Sequence, residues 1–144
     1  LWQHDGRGLA LLMQKINQTL SQIQHPDVQK LADTFKQHLT TAQRTTEFLS
    51  EQIKQGHIDL TLANASLYLD LMGKVIIAWL WLEMAHHAAE KFAHSAHQED
   101  VDFWQGKLQA ARYFIHWELP QIEQHAKLLN ALDRTCLDMQ SAWF

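Results

Sequence analysis

The residues best suited to chemistry lie between positions 83 and 97, where carboxylates and imidazoles recur at helical spacing. Glu83-Met-Ala-His86 has the Glu-x-x-His spacing with which di-iron helical bundles hold their metals. Such a centre needs a second Glu-x-x-His and one further glutamate from each of two other helices. The sequence holds no second copy, since Glu118 is followed by Leu-Pro-Gln and Glu123 by Gln-His-Ala. The sequence therefore predicts no di-iron centre.

Two further spacings nearby could hold a zinc ion on a helix surface, His87-Ala-Ala-Glu90 and His94-Ser-Ala-His97. Each offers two ligands, and a zinc site needs more than two. Protonated imidazoles near the C-terminal end of a helix also interact favourably with the helix dipole. We therefore interpret these histidines and His86 as solvated side chains, and we predict no metal site.

Other catalytic chemistry finds little support in the residue pattern. Cys136, the single cysteine, lies in a weakly patterned segment and is interpreted as a small, half-buried hydrophobic residue. The Gly-Arg-Gly at residues 6–8 is too short for a phosphate-binding loop, and no glycine-rich turn follows a strand. A His-x-x-Lys-Gly phosphotransfer pattern is absent, since His87 precedes Ala-Ala-Glu. The sequence predicts no catalytic residue and no bound cofactor in this chain.

Length and charge narrow the class of protein. The 144 residues are expected to form one domain, 1–144, long enough to bury a core. A net charge of −4 argues against a nucleic-acid partner, because phosphate binding needs a basic surface. One cysteine excludes an internal disulfide framework and suits a cytoplasmic protein. Position 1 is leucine and no signal peptide follows, so we expect a fragment or a processed product of something longer.

Apolar residues three or four positions apart predict long helices and no strand. The predicted helices span residues 7–24, 26–55, 59 or 61 to 94 or 97, and about 99 to Pro120, with a continuation from 121 to 132. Pro26 is expected to open the second helix and Gly56 to follow its end. These helices predict an all-α fold, an antiparallel (up-down-up-down) four-helix bundle whose last helix is kinked by Pro120.

The third helix carries the run Val-Ile-Ile-Ala-Trp-Leu-Trp-Leu at residues 75–82, which is apolar on every side of a helix. Lys74 and Glu83 bracket this run, which is shorter than the ~20 residues that cross a bilayer, so we predict no membrane span. An all-round apolar helix is buried on all sides, which favours a second partner: another domain or another copy. Gly73, Ala78 and Ala85 would let a neighbouring backbone approach. A thick core within the bundle alone would account for the same residues.

Charged residues among these helices are expected to tie the bundle together. Asp70 and Lys74 form an i,i+4 pair in the favourable order. Lys107 and Arg112 lie among aromatic and aliphatic residues, and a buried guanidinium must find a carboxylate or carbonyl groups. We predict that Arg112 is a structural tie to Asp70 or Glu83 rather than an anion-binding group.

Two long segments resemble a known family. They are ANASLYLDLMGKVIIAWLWLEMA and FWQGKLQAARYFIHWELPQI, and the opening LWQHDGRGLALLMQKI is also similar to it. The matching positions are Tyr68, Leu69, Leu71, Gly73, Trp79, Trp81, Gly106, Lys107, Leu108, Ala111, Arg112, Tyr113, Phe114, Leu119 and Pro120. The chain resembles the C-terminal helical extension of bacterial acyl-CoA dehydrogenases, a group that includes methylthiopropanoyl-CoA dehydrogenases.

The resemblance implies a non-catalytic module of an FAD-dependent oxidoreductase of fatty-acid metabolism, which oxidises an acyl-CoA to an enoyl-CoA. In such enzymes the flavin, the acyl-CoA pocket and the catalytic glutamate belong to the preceding core, so no activity is expected from this chain alone. The implied partners are that core and a second subunit of a homo-oligomer. The candidate structural or interface residues are Gly73, Trp79, Trp81, Lys107 and Arg112. The alternative is a free-standing interaction protein that dimerises through its tryptophan-rich face.

Overall fold

The computed structural model describes residues 6–94 and 97–143, and within them the chain is all α, as predicted, with no strand. The helices are α1 (Arg7–Gln22), α2 (Pro26–Lys54), α3 (Ile58–Leu62), α4 (Ala65–His94), α5 (Gln98–Tyr113) and α6 (Ile122–Asn130). A π-helical turn, Phe114–Glu118, and a 3-10 turn, Leu119–Gln121, join α5 to α6. A last 3-10 turn covers Ser141–Trp143.

The ends of α2 follow from local chemistry, as the sequence predicts. Pro26 occupies the first helical position, where its missing N–H costs no hydrogen bond. The His25 ring nitrogen Nδ1 accepts a hydrogen bond from the Asp27 N–H and caps the helix. At the other end Gly56 has φ +90°, and the N–H groups of Gly56 and His57 donate to Ile53 and Gln52. This pair of bonds is the Schellman motif, for which glycine is favoured.

The predicted third helix is interrupted after one turn. Residues 63 and 64 separate α3 from α4, where the sequence predicts one helix beginning at Asp59 or Thr61. The Asn64 side chain is buried and donates to the backbone oxygen of Asp133, which lies after α6. This long-range bond fixes the break and explains why helical periodicity did not reveal it.

The predicted fourth helix is divided near Pro120 into α5 and α6. Proline has no N–H to donate, and its ring collides with the carbonyl four residues earlier in a regular helix. The backbone avoids this collision by forming the wider π turn at Phe114–Glu118, which is followed by the tighter 3-10 turn that contains Pro120. The kink itself and the antiparallel four-helix order stay predictions.

The core lies where α2, α4 and α6 pack against one another. Its largest fully buried side chains include Phe35, Ile16, Leu49, Leu71, Leu82, Ile115, Leu119, Ile122 and Leu129. By contrast α5 packs mainly on α4, and Ala111 is its one fully buried residue. Helix α4 is therefore central, with neighbours on several sides.

One helix in the described part of the chain is long and apolar enough to cross a membrane, the Ala65–Lys91 stretch of α4. A third of its most apolar window is buried in the bundle. The central helix of a soluble domain meets the same criteria, so the finding is weak support for a span, and the prediction of no span stays a prediction.

Candidate docking interface

The side of α4 that faces away from the core is apolar along four turns. Its residues are Leu69, Gly73, Ile77, Leu80 and Met84, three or four positions apart, and we call this stripe the outer face of α4. Leu69 is 75% exposed and Leu80 44% exposed. The opposite side of the same helix is buried, with Leu71, Val75, Ala78 and Leu82 at 0% exposure. Helix α4 thus has apolar residues on two opposite sides, and the chain covers one of them.

Aromatic side chains from the segment after α5 extend this surface. Phe114 lines a shallow cavity of about 380 Å³ together with Gly73 and Ile77. The exposed rings of Tyr113 and Trp117 stack at 13° with their centroids 6.3 Å apart. Because two of these three aromatic rings are exposed and the third joins the outer face, the apolar surface continues from α4 onto the π turn.

The carboxylate of Glu118 fixes the position of the Tyr113 side chain through a hydrogen bond. It accepts hydrogen bonds from the Tyr113 hydroxyl at 2.9 Å and from the Gln121 side chain at 3.0 Å, and Lys74 Nζ lies 3.9 Å away. The hydrogen bond to Glu118 and the negative charge of that carboxylate raise the pKa of the Tyr113 phenol. Lys74 thus pairs with Glu118, and Asp70, its predicted partner, instead lies 3.4 Å from His125 Nδ1.

Trp79 and Trp81 do not lie on the outer face. Trp79 packs against the core, and its indole N–H donates to Thr19 Oγ1 of α1 at 2.7 Å. The Thr19 hydroxyl in turn donates to Glu83 Oε1 at 2.8 Å. Trp81 is also partly buried against the core. The two tryptophans therefore contribute to the packing of the domain itself, and Glu83 accepts a hydrogen bond from Thr19 instead of pairing with Arg112.

Arg112 forms an ion pair, but its predicted partners are wrong. Its Nη2 lies 3.7 Å from Asp27 Oδ2 at the start of α2, and the two side chains are 43% and 51% exposed. Arg112 sits at the edge of the α5 stripe that meets α4, so its side chain reaches α2 rather than Asp70 or Glu83. Lys107 places its ammonium group 5.1 Å from the centre of the Phe103 ring, a cation–π contact.

Gly73 was predicted to permit close approach of a neighbouring backbone. A Cβ atom at this position would meet nothing within 4 Å, so none of the residues that the structure describes fills this space. Ala78 and Ala85, predicted for the same purpose, are fully buried in the core. The free space beside Gly73 lies in the middle of the outer face.

A sequence model of one protein family matches residues 12–140, and its description is acetyl-CoA dehydrogenase C-terminal like. The chain belongs to this family. The match covers α2 to α6 and most of α1, so it includes the whole outer face and the π turn. A search of curated proteins finds no match. The resemblance stated from the sequence is confirmed at the level of the family, whereas the methylthiopropanoyl-CoA subgroup stays a prediction.

The histidines near the end of α4 were predicted to be solvated, and the structure bears this out for only some of them. His86 is 14% exposed, so its interpretation as a solvated residue is wrong, whereas His87 and His94 are exposed. Glu90 lies between His86 and His87, with its two carboxylate oxygens 3.7 and 3.5 Å from their ring nitrogens. An open cavity of about 1100 Å³ borders all four side chains.

Cys136 is exposed, not half-buried as predicted, because the segment after α6 adds little to the core. Sequence reasoning also did not single out Leu69, Ile77, Leu80 and Met84 as the exposed apolar residues of α4. Their spacing of three or four positions was visible. Trp79 and Trp81 of the same helix were named as candidates instead, because the sequence of an all-round apolar helix does not reveal which side faces the core.

Proposed function

We propose that this chain is the non-catalytic C-terminal helical domain of an FAD-dependent acyl-CoA dehydrogenase. In this proposal the outer face of α4 docks on the catalytic part of that enzyme or on a second subunit. The family assignment supports the placement in such proteins, and the exposed apolar stripe is the observation that carries the docking role.

The energetics of the outer face favour a partner. Burying one large aliphatic side chain contributes about 1.5–3 kcal/mol relative to leaving it in water. Leu69, Ile77, Leu80 and Met84 are all exposed in the chain alone. Monomeric proteins rarely expose apolar patches larger than a few hundred Å² unless the patch is functional. The four side chains together therefore offer a free-energy gain that the bundle by itself leaves unused.

The composition around the face also suits a protein partner. Interfaces typically have an apolar centre with enriched aromatic residues and a polar rim. Here Tyr113 and Trp117 adjoin the stripe, while Asp70, Lys74 and His87 flank it. The Tyr113 ring is also held in place before binding by its hydrogen bond to Glu118, which reduces the entropy lost on association.

The alternative is a free-standing bundle that dimerises through an apolar face. The open space at Gly73 favours this reading, because it lets a helix of a second copy approach closely. The dimerising surface would then be the outer face, not the surface of Trp79 and Trp81, which are turned towards the core.

One observation separates these proposals, and a second tests the docking role that they share. The coding sequence upstream of Leu1 should encode a flavin-binding core, and its absence would favour the free-standing alternative. Static light scattering of the isolated chain over a concentration series should show self-association, because the outer face lacks its cover. A strictly monomeric chain at high concentration would count against a docking role for this face.

A further inference from the structure

The carboxylate of Glu90 lies between two imidazole rings near the end of α4. Glu90 Oε1 is 3.7 Å from His86 Nε2, and Glu90 Oε2 is 3.5 Å from His87 Nδ1. One ligand atom from each of the three residues can be chosen so that all three lie within 4.8 Å of one another. Sequence spacing predicted possible ligands only in pairs, whereas the structure places three possible ligand residues close together.

These donors suit a divalent transition metal. Imidazole nitrogen with carboxylate oxygen is a ligand set that zinc uses, with bonds of about 2.0–2.2 Å. Ligand atoms around a tetrahedral ion then lie roughly 3.3 Å apart. The two separations between Glu90 and the histidines are within a few tenths of an ångström of that value. These two distances run to different oxygens of Glu90, and the three donor atoms lie within 4.8 Å of one another, so side-chain rotations that bring the two imidazoles closer would place the three donors on one ion.

The surroundings of the cluster also favour a cation. His86 is mostly buried, so its ring is held by packing on a regular helix, which fixes the position of one ligand. The cluster lies in the last part of α4, where the helix dipole attracts positive charge. His94, one turn beyond Glu90, borders the same open cavity, so it is the residue from which a fourth ligand could come.

His25 borders this cavity as well but is not one of the ligands. Its Nδ1 accepts a hydrogen bond from the Asp27 N–H, so in the neutral ring Nε2 carries the proton. Ligation through Nε2 would move that proton to Nδ1 and remove the cap of α2. The site therefore rests on residues of α4 alone.

We propose that His86, His87 and Glu90 bind one divalent transition-metal ion of the zinc class, with His94 completing the site. The competing account is a pair of ordinary ion pairs, in which protonated imidazoles contact Glu90 without any metal. The two accounts differ in whether the chain binds an added divalent ion, because ordinary ion pairs need none.

Calorimetric titration of the chelator-treated chain with ZnCl₂ in a non-coordinating buffer tests the proposal, and Co²⁺ absorbance reports the coordination geometry. We expect one ion per chain at neutral pH. His87→Ala and Glu90→Gln should each weaken binding at least tenfold. Both side chains are exposed, so these variants should fold. His116→Ala is the matched control, an exposed histidine on the π turn that should leave the affinity unchanged.

Three results would overturn the metal site. They are the absence of saturable binding at millimolar Zn²⁺, a loss of less than threefold in both variants, and an equal loss in the His116→Ala control. The last two would assign the ion to other histidines of the chain. These binding measurements do not depend on dehydrogenase activity or on the docking role of the outer face.

Discussion

The two sides of α4 are chemically alike and structurally opposite. Leu71 and Leu82 on the inner side are fully buried among α2, α6 and their neighbours, whereas Leu69 and Leu80 on the outer side remain in contact with water. Leucine at a given position therefore says little by itself. Its partner decides whether it stabilises the domain or is available to bind something else.

The largest effect should come from truncating the inner side. Leu82→Ala removes a fully buried side chain and leaves a cavity, which typically costs about 2–5 kcal/mol of unfolding free energy. Leu80→Ala, two positions earlier on the outer side, should cost under about 0.5 kcal/mol in the isolated chain. Urea unfolding of both variants measures the contrast. Similar losses would show that the outer side is already buried, by self-association or otherwise.

A smaller loss is expected at the tie between α1 and α4. Thr19→Val keeps the shape of the side chain but leaves the Trp79 N–H and the Glu83 carboxylate without this partner. An unsatisfied buried polar group costs about 1–3 kcal/mol. Thr40→Val is the matched control, because the exposed Thr40 hydroxyl donates only to the Lys36 carbonyl. If thermal unfolding shows equal losses, the three-residue network does not stabilise the fold.

Arg112→Ala should have a still smaller effect. The sequence alone suggested a buried pair, whose breakage costs about 3–5 kcal/mol. The structure shows a half-exposed pair with Asp27 at 3.7 Å, and such surface pairs contribute about 0–1 kcal/mol. We expect a melting temperature close to that of Lys107→Ala. A loss of several kcal/mol would mean that Arg112 is buried by a partner or by a different side-chain position.

The smallest effect is a titration shift that separates the two tyrosines. Burial raises the pKa of Tyr68, an effect that its hydrogen bond to Thr46 partly opposes, whereas Glu118 raises the pKa of Tyr113. Both phenols should therefore ionise above about pH 10 in the folded chain. For each, the contribution to stability is present below the unfolded pKa of about 10 and is lost as the pH rises through the folded value.

Absorbance titration of the two phenols should show that the two pKa values are raised by different causes. Glu118→Gln should move the transition of Tyr113 to lower pH and leave that of Tyr68 in place, because Tyr113 is the one of the two tyrosines that contacts Glu118. Glu123→Gln, at an exposed glutamate of α6, should move neither. A shift of both transitions in Glu118→Gln would point to loosening of the whole domain.

Local chemistry made the all-α class and most helix ends predictable. Pro26 and Gly56 act on their own helix, so their consequences can be inferred from a few neighbouring residues. The break at Asn64 and the partner of Arg112 could not be predicted in this way. Their partners, Asp133 and Asp27, lie far away in the chain, and helical periodicity carries no information about such contacts.

The candidate interface was predicted in part. The run at residues 75–82 predicted excess apolar surface on α4, and Ile77 and Leu80 of this run are exposed, whereas a partner that covers them stays a prediction. Trp79 and Trp81 were named as structural or interface candidates because they belong to an apolar run that exceeds the needs of a lone bundle, and large apolar residues are equally suited to a core. Trp79 contacts Thr19 and both rings pack against the core, whereas a role of either ring in an interface stays a prediction.

The central claim is that the outer face of α4 is a docking surface, and a single charge placed on it tests this most directly. Leu80→Glu should abolish self-association of the isolated chain in sedimentation velocity and leave its melting temperature within a few degrees of the parent. The control is Leu11→Glu, which places the same charge at a leucine of α1 that is 57% exposed. It should leave association unchanged. Equal association of Leu80→Glu and the parent chain would contradict the claim.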